Sequence, residues 1–226
     1  VRTYVGQTRA PEHVKRCRDA GLGELTCRGE LPPRRYPWCY DNGAFKDWRA
    51  DRMFNITQWW RDMRRIEYWI NDPQPAGGGW PNRVIKDWPD FVVLPDIPNG
   101  GDASLKMSLS WLSVAQHHLG DNSKCYLAVQ NGMSIRKVES ALRVVDGIFV
   151  GGTLEWKLAT GEAWVQLAHS RSMPCHIGRV GTIDRVKWAL DIGADSIDSS
   201  LPLWRRDRLE DFIAAVNGGG DHTPVV

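Results

Sequence analysis

The sequence predicts an α/β chain folded as a compact TIM-type (β/α)8 barrel. Three observations carry that prediction. Short runs of buried-type residues alternate with helix-like segments, the pattern of parallel strands joined by helical crossovers. Several of those runs end on a polar residue, at the edge where barrel strands converge on one face. A chain of 226 residues, 42% hydrophobic and 25% charged, suits one large domain better than two. A doubly wound open sheet is the second choice, since right-handed crossovers permit both.

In chain order, Tyr4-Val5 reads as the first strand. Trp38-Cys39-Tyr40 and Phe91-Val92-Val93-Leu94 follow, leading into Asp41 and Asp96. A helix between them carries Arg61, Arg64 and Arg65. Residues 72–89 hold Pro73, Pro75, Gly77, Gly78, Gly79, Pro81 and Pro89, which exclude a regular element and mark a long loop of the lid or binding kind. Cys125-Tyr126-Leu127-Ala128-Val129 is a buried strand ending in the turn Gln130-Asn131-Gly132. Ser134 then caps a helix with Ile135, Val138, Leu142 and Val145 at helical spacing, closed by Gly147. Ile148-Phe149-Val150 is the next strand, and after Gly151-Gly152 a helix runs around Glu162 to His169. Cys175-His176-Ile177 is a strand, followed by a turn from Gly178 to Gly181. The next helix, with Val186, Ala189 and Leu190 inside, ends at Gly193. Ser196-Ile197-Asp198 is the last strand, and a polar helix runs from about Asp207 to Val216. These are seven strands, and an eighth has no clear signal. A single domain is expected over 1–217, with 218–226 a flexible tail.

A net charge of +2 and a pI near 8.3 are too mild to mark a nucleic-acid binder by composition. Local clusters, such as Arg205, Arg206 and Arg208, either track phosphates or solvate a helix face. The five cysteines form no CxxC pair, so no metal site is read and no cofactor is expected. No apolar run approaches the roughly 20 residues of a membrane span, and the N-terminus carries no signal-peptide core. With thiols taken as reduced, a soluble cytoplasmic protein is expected. Most of the twelve tryptophans are expected in the core, although tryptophan also stacks on bases.

Asp41, Asp96, Gln130 and Asp198 share one address, each after a different predicted strand. A barrel would aim all four into one pocket. Each alone is as readily a helix cap or an Asx turn, but Asp41 and Asp198 precede no obvious helix start. Two carboxylates facing one pocket suit chemistry at an anomeric carbon, one attacking while the other handles protons. The other Asp and the Gln are then free to read a heterocycle edge. His176 either supports these carboxylates or is a satisfied core histidine. Arg179 either touches a phosphate or pairs with Asp195.

Five segments carry a resemblance: Asp41-Asn42-Gly43-Ala44-Phe45, Val129-Gln130-Asn131-Gly132, Gly151-Gly152, Ile177-Gly178-Arg179-Val180-Gly181-Thr182, and Gly193 to Asp198 with Leu201-Pro202. In this order they resemble the motifs of the tRNA-guanine transglycosylase superfamily. The resemblance implies that Asp198 attacks C1′ and that Asp41 is the general acid/base. It implies that Asp96 and Gln130 read the purine edge, and that Gly151-Gly152 brings its backbone close to the base. Phe45 would stack on one base face, and Ile177 or Gly178 would approach the other.

The chain lacks the CxCxxC zinc module of the tRNA-acting members, and Pro202-Leu203-Trp204 replaces their Pro-Thr-Arg. In these features it is closest to the compact phage-type DNA deazaguanine transglycosylases (DpdA-like), which exchange guanine in DNA for a 7-deazaguanine base such as preQ0. Guanine-containing DNA and the 7-deazaguanine base are then the expected partners. Trp204 is expected as a wedge beside a flipped nucleotide, with Arg179, Arg205, Arg206 and Arg208 near phosphates. A homodimer or a partner protein is left open. The alternatives are a tRNA-acting enzyme, a base-excision glycosylase or nucleoside hydrolase, and a non-catalytic nucleic-acid-binding subunit.

Overall fold

The structure, a computed structural model, describes residues 1–30, 33, 37–71 and 87–218. Eight parallel strands close into a barrel in strict chain order. They are β1 (Arg2–Gly6), β2 (Gly23–Cys27), β3 (Trp38–Asp41), β4 (Phe91–Val93), β5 (Lys124–Val129), β6 (Gly147–Val150), β7 (Cys175–Ile177) and β8 (Ser196–Ser199). Closure comes where β8 pairs with β1, setting Tyr4 opposite Asp198. The helices are α1 (Pro11–Asp19), α2 (Ala44–Arg49), α3 (Ile56–Asn71), α4 (Gly101–Leu119), α5 (Ile135–Ala141), α6 (Leu154–Ser170), α7 (Ile183–Asp191), α8 (Leu201–Trp204) and α9 (Leu209–Gly218). Most of the expected Pro/Gly-rich loop (72–86) and of the tail (219–226) lies outside the described residues.

The strand missing from the sequence reading is β2, Gly-Glu-Leu-Thr-Cys. Its Glu24 and Thr26 are fully buried, so a strand buried on both faces carries a charged residue where an apolar one signals it. Glu24 is accommodated by hydrogen bonds from Gln7 Nε2 and Thr26 Oγ1. Gly147 does not close a helix. Helix α5 ends six residues earlier, at Ala141, and Gly147 opens β6. Ser134 is the N-cap residue of α5 but makes no side-chain capping bond. Helix α6 is longer than read, starting at Leu154 with the Thr153 hydroxyl accepting from Trp156 N.

Strand alternation sorts the side chains into two cores. Val5, Tyr40, Val92, Leu127, Ile148, Ile177 and Ile197 join the layer between barrel and helices. Tyr4, Leu25, Cys39, Phe91, Val93, Tyr126, Ala128 and Phe149 fill the barrel. Rings form its floor: Phe91 stacks on Tyr126 at 4.2 Å and meets Tyr4 edge-on at 5.6 Å. Glycines make room for them, since a Cβ on Gly147 would lie 2.5 Å from the Tyr126 ring and one on Gly23 2.7 Å from Tyr4. Above this apolar floor, the next inward positions toward the C-terminal mouth include Asp41 and Asp198. No described helix is long and apolar enough to cross a membrane.

Candidate active site

Asp198 is on β8 with its side chain turned into the barrel, on the same face as Ser196, while Ile197 faces the helices. Beneath it sits His176, fully buried. Its Nε2 lies 3.0 Å from Asp198 Oδ1 and its Nδ1 2.8 Å from Ser196 Oγ. The imidazole stacks on Phe149 at 4.8 Å and leans on Phe91 at 5.1 Å. His176 is therefore both a satisfied core histidine and the support of a carboxylate.

Asp41 ends β3. Its Oδ1 accepts from the Gly43 amide at 2.8 Å, an Asx turn that fixes the side chain and leaves the other oxygen available. Contrary to the sequence expectation, Asp41 and Asp198 each precede a helix, α2 and α8. Neither caps it, because the N-cap residues are Gly43 and Ser200. The Asp41 carboxyl is raised above the ordinary carboxylate range. Burial is the largest cause, opposed by the Gly43 amide and reinforced by the charge of Asp198.

Asp96 and Gln130 form one unit at the back of the site. Gln130 Nε2 donates to Asp96 Oδ2, and its Oε1 accepts from Gly152 N at 2.8 Å. Asp96 Oδ1 accepts from Asn42 Nδ2 at 2.7 Å, and the same amide nitrogen lies 2.6 Å from the Leu94 carbonyl. Burial pushes the Asp96 carboxyl up to about 7 against the two amide donors that favour its charge. Asn42 is thus a site residue that the sequence reading quoted only as part of a motif.

Asp41, Asn42, Phe45, Val93, Asp96, Ala128, Gln130, Phe149, Gly151 and Arg179 line one cavity of about 30 Å³. Gly151 is at its wall, where a Cβ would fall 2.5 Å from Gln130 Nε2. Gly178 is wedged against Phe149 and, at 3.4 Å from its would-be Cβ, Asp198 Oδ1. Ile177 is corrected: it faces the helix layer and does not line the cavity. Gly152 has a left-handed φ of 71° and a would-be Cβ 2.5 Å from Trp156, so turn geometry and packing require this glycine.

Lys157 was missed. It is buried, and its Nζ donates to the Gly178 carbonyl. Burial, then the charge of Arg179, pushes it down to about 7, with Asp198 pulling the other way. Its neighbours at helical spacing, Gly161, Trp164 and Ala168, are also buried. That stripe is the sequence signal that places Lys157 on the inward face of α6.

The basic residues divide. Arg179 does not pair with Asp195, which accepts from Cys175 N at 2.7 Å and lies 2.9 Å from His169 Nε2. Instead Arg179 enters the cavity. Arg205 is bound by Asp207 at 2.9 Å and Arg208 by Asp211 at 2.8 Å, all exposed. The side chain of Arg206 is outside the described residues. Trp204 ends α8 with 82% of its surface exposed, available as a platform and not packed into the rim. No protein-family model matches the chain, and no curated protein matches it significantly.

Proposed function

We propose that the chain is a base-exchange glycosyltransferase acting on guanine in DNA. The observation that carries the reading is that Asp41, Asp96 and Gln130 line one cavity, while Asp198, outside its lining, ends the inward face of β8 against His176. Asp198, aligned by His176, attacks C1′ of the nucleotide. The glycosidic C–N bond breaks, its electron pair leaves with guanine, and protonated Asp41 supplies the proton to the leaving ring nitrogen. A carboxyl raised by burial suits that acid role. In the return step Asp41 takes the N–H proton of a 7-deazaguanine base, whose nitrogen attacks C1′ and releases Asp198. The Asp96–Gln130 unit meets the base edge, and exposed Trp204 replaces the stacking lost when the nucleotide leaves the helix.

The test is direct. The chain is incubated with guanine-containing DNA and 7-cyano-7-deazaguanine, and the digested nucleosides are read by mass spectrometry. A deaza-nucleoside is expected in DNA and none with Asp198→Ala. Incorporation into tRNA alone would keep the chemistry and overturn the substrate. Abasic sites without incorporation would make the reaction a hydrolysis.

A further inference from the structure

The cavity is already occupied by a part of the chain. The Arg179 guanidinium carbon sits 3.4 Å from the centroid of the Phe45 ring. One of its nitrogens donates to the Gly152 carbonyl at 2.5 Å. The charges of Asp198, Asp41 and Asp96 act on it, yet none of them is in an ion pair with it among the described residues. The 30 Å³ that remain are room for about one water and no heterocycle.

The perch of Arg179 is costly. Its φ is 56°, a left-handed conformation that side chains other than glycine and asparagine disfavour. The turn around it is pinned on both sides: Val180 N donates to the Asp198 carbonyl at 2.7 Å, and Lys157 holds the Gly178 carbonyl. Among the described residues, a flat cation is thus held on an aromatic face by one hydrogen bond and without a carboxylate in an ion pair with it.

We propose that Arg179 is an internal stand-in for the ligand ring, displaced when a flat heterocycle with an N–H donor edge enters. The amino-pyrimidinone edge of guanine presents a ring N–H beside an exocyclic amine, two of the donors a guanidinium offers side by side, whereas the ring nitrogen beside adenine's amine is an acceptor. Phe45 then trades one flat group for another. The displaced guanidinium, a good phosphate ligand, leaves toward the mouth where a nucleotide's phosphates lie. The choice of guanine rests on the base-exchange reading, whereas the displacement itself rests on the geometry alone.

The experiment is equilibrium dialysis of labelled guanine and labelled adenine against the wild-type chain, Arg179→Gly and Arg179→Ala. Glycine accepts the left-handed φ and alanine does not, so a shared result belongs to the side chain and not to relieved strain. Both variants are expected to bind guanine about tenfold or more tightly than wild type, because an occluded site lowers apparent affinity by its open fraction. Adenine binding is expected to stay unchanged. Guanine affinity equal to wild type or weaker, or undetectable throughout, overturns the displacement. The exchange assay on the same samples judges the reaction separately. Tighter guanine binding without exchange by wild type removes the reaction and leaves the stand-in, and exchange by wild type without a gain in the variants does the reverse.

Discussion

At the scale of single residues, the aim of Asp198 depends on a ring that never reaches the cavity. His176 offers one nitrogen to Asp198 and the other to Ser196 while its face lies on Phe149. His176→Phe keeps a flat ring in the aromatic cage and removes both bonds. Exchange by that variant is expected to fall about 10²-fold in kcat, as for a nucleophile misplaced by about an ångström. KM for DNA should move little, because His176 touches the nucleophile and not the cavity. An unchanged kcat with a lowered melting temperature would reduce His176 to a packing residue. Alternation within Cys-His-Ile already turns His176 inward, so its direction is legible in the sequence. Its partners are not, because Ser196 and Asp198 come from another strand. Lys157 sits in the first turn of α6 and reads as a solvated lysine until its spacing to Gly161, Trp164 and Ala168 is counted. Asn42 is harder still, because its bonds to Leu94 and Asp96 depend on the pairing of β3 with β4.

At the scale of elements, glycine has two uses in this chain that sequence punctuation does not separate. Gly193, the expected end of its helix, follows α7 with φ 82° as a left-handed stop. Gly147 has the same look in the sequence but opens β6, where it leaves room for the Tyr126 ring. The two are distinguished by substitution with alanine. Gly147→Ala is expected to cost about 1–3 kcal/mol by overpacking the barrel floor. Gly21→Ala, at φ 69° with nothing within 4 Å of the new Cβ, is expected to cost about 1–2 kcal/mol through backbone strain alone. Urea melts measure both. The discriminating step is a second substitution, Tyr126→Leu, which should relieve part of the Gly147→Ala penalty and none of the Gly21→Ala penalty. Strand β2 shows the complementary limit. Its buried Glu24 and Thr26 hide a strand that only closure of the barrel demands, and pattern reading therefore stops at seven.

At the scale of the whole molecule, burying ionisable groups at one mouth writes itself into stability against pH. Asp96 is raised to about 7, and Asp41 is raised as well. Between about pH 4 and pH 7 the folded chain therefore holds protons that the unfolded chain has lost, and stability falls as pH rises through that window. Lys157 works in the opposite direction. It is lowered to about 7, so above pH 7 the unfolded chain holds the extra proton and stability rises with pH. The rise ends near pH 8.5, where unfolded thiols begin to ionise while Cys39, Cys125 and Cys175, raised by burial, do not. The expected curve has a shallow minimum near pH 7, and each arm has an owner. Asp96→Asn should flatten the acid-side fall by on the order of 2–4 kcal/mol, and Lys157→Met should flatten the rise above pH 7. Urea midpoints measured from pH 4 to 9 test this. A wild-type curve that rises steadily from pH 4 to 7 would mean that water reaches Asp96 and that the mouth is already open.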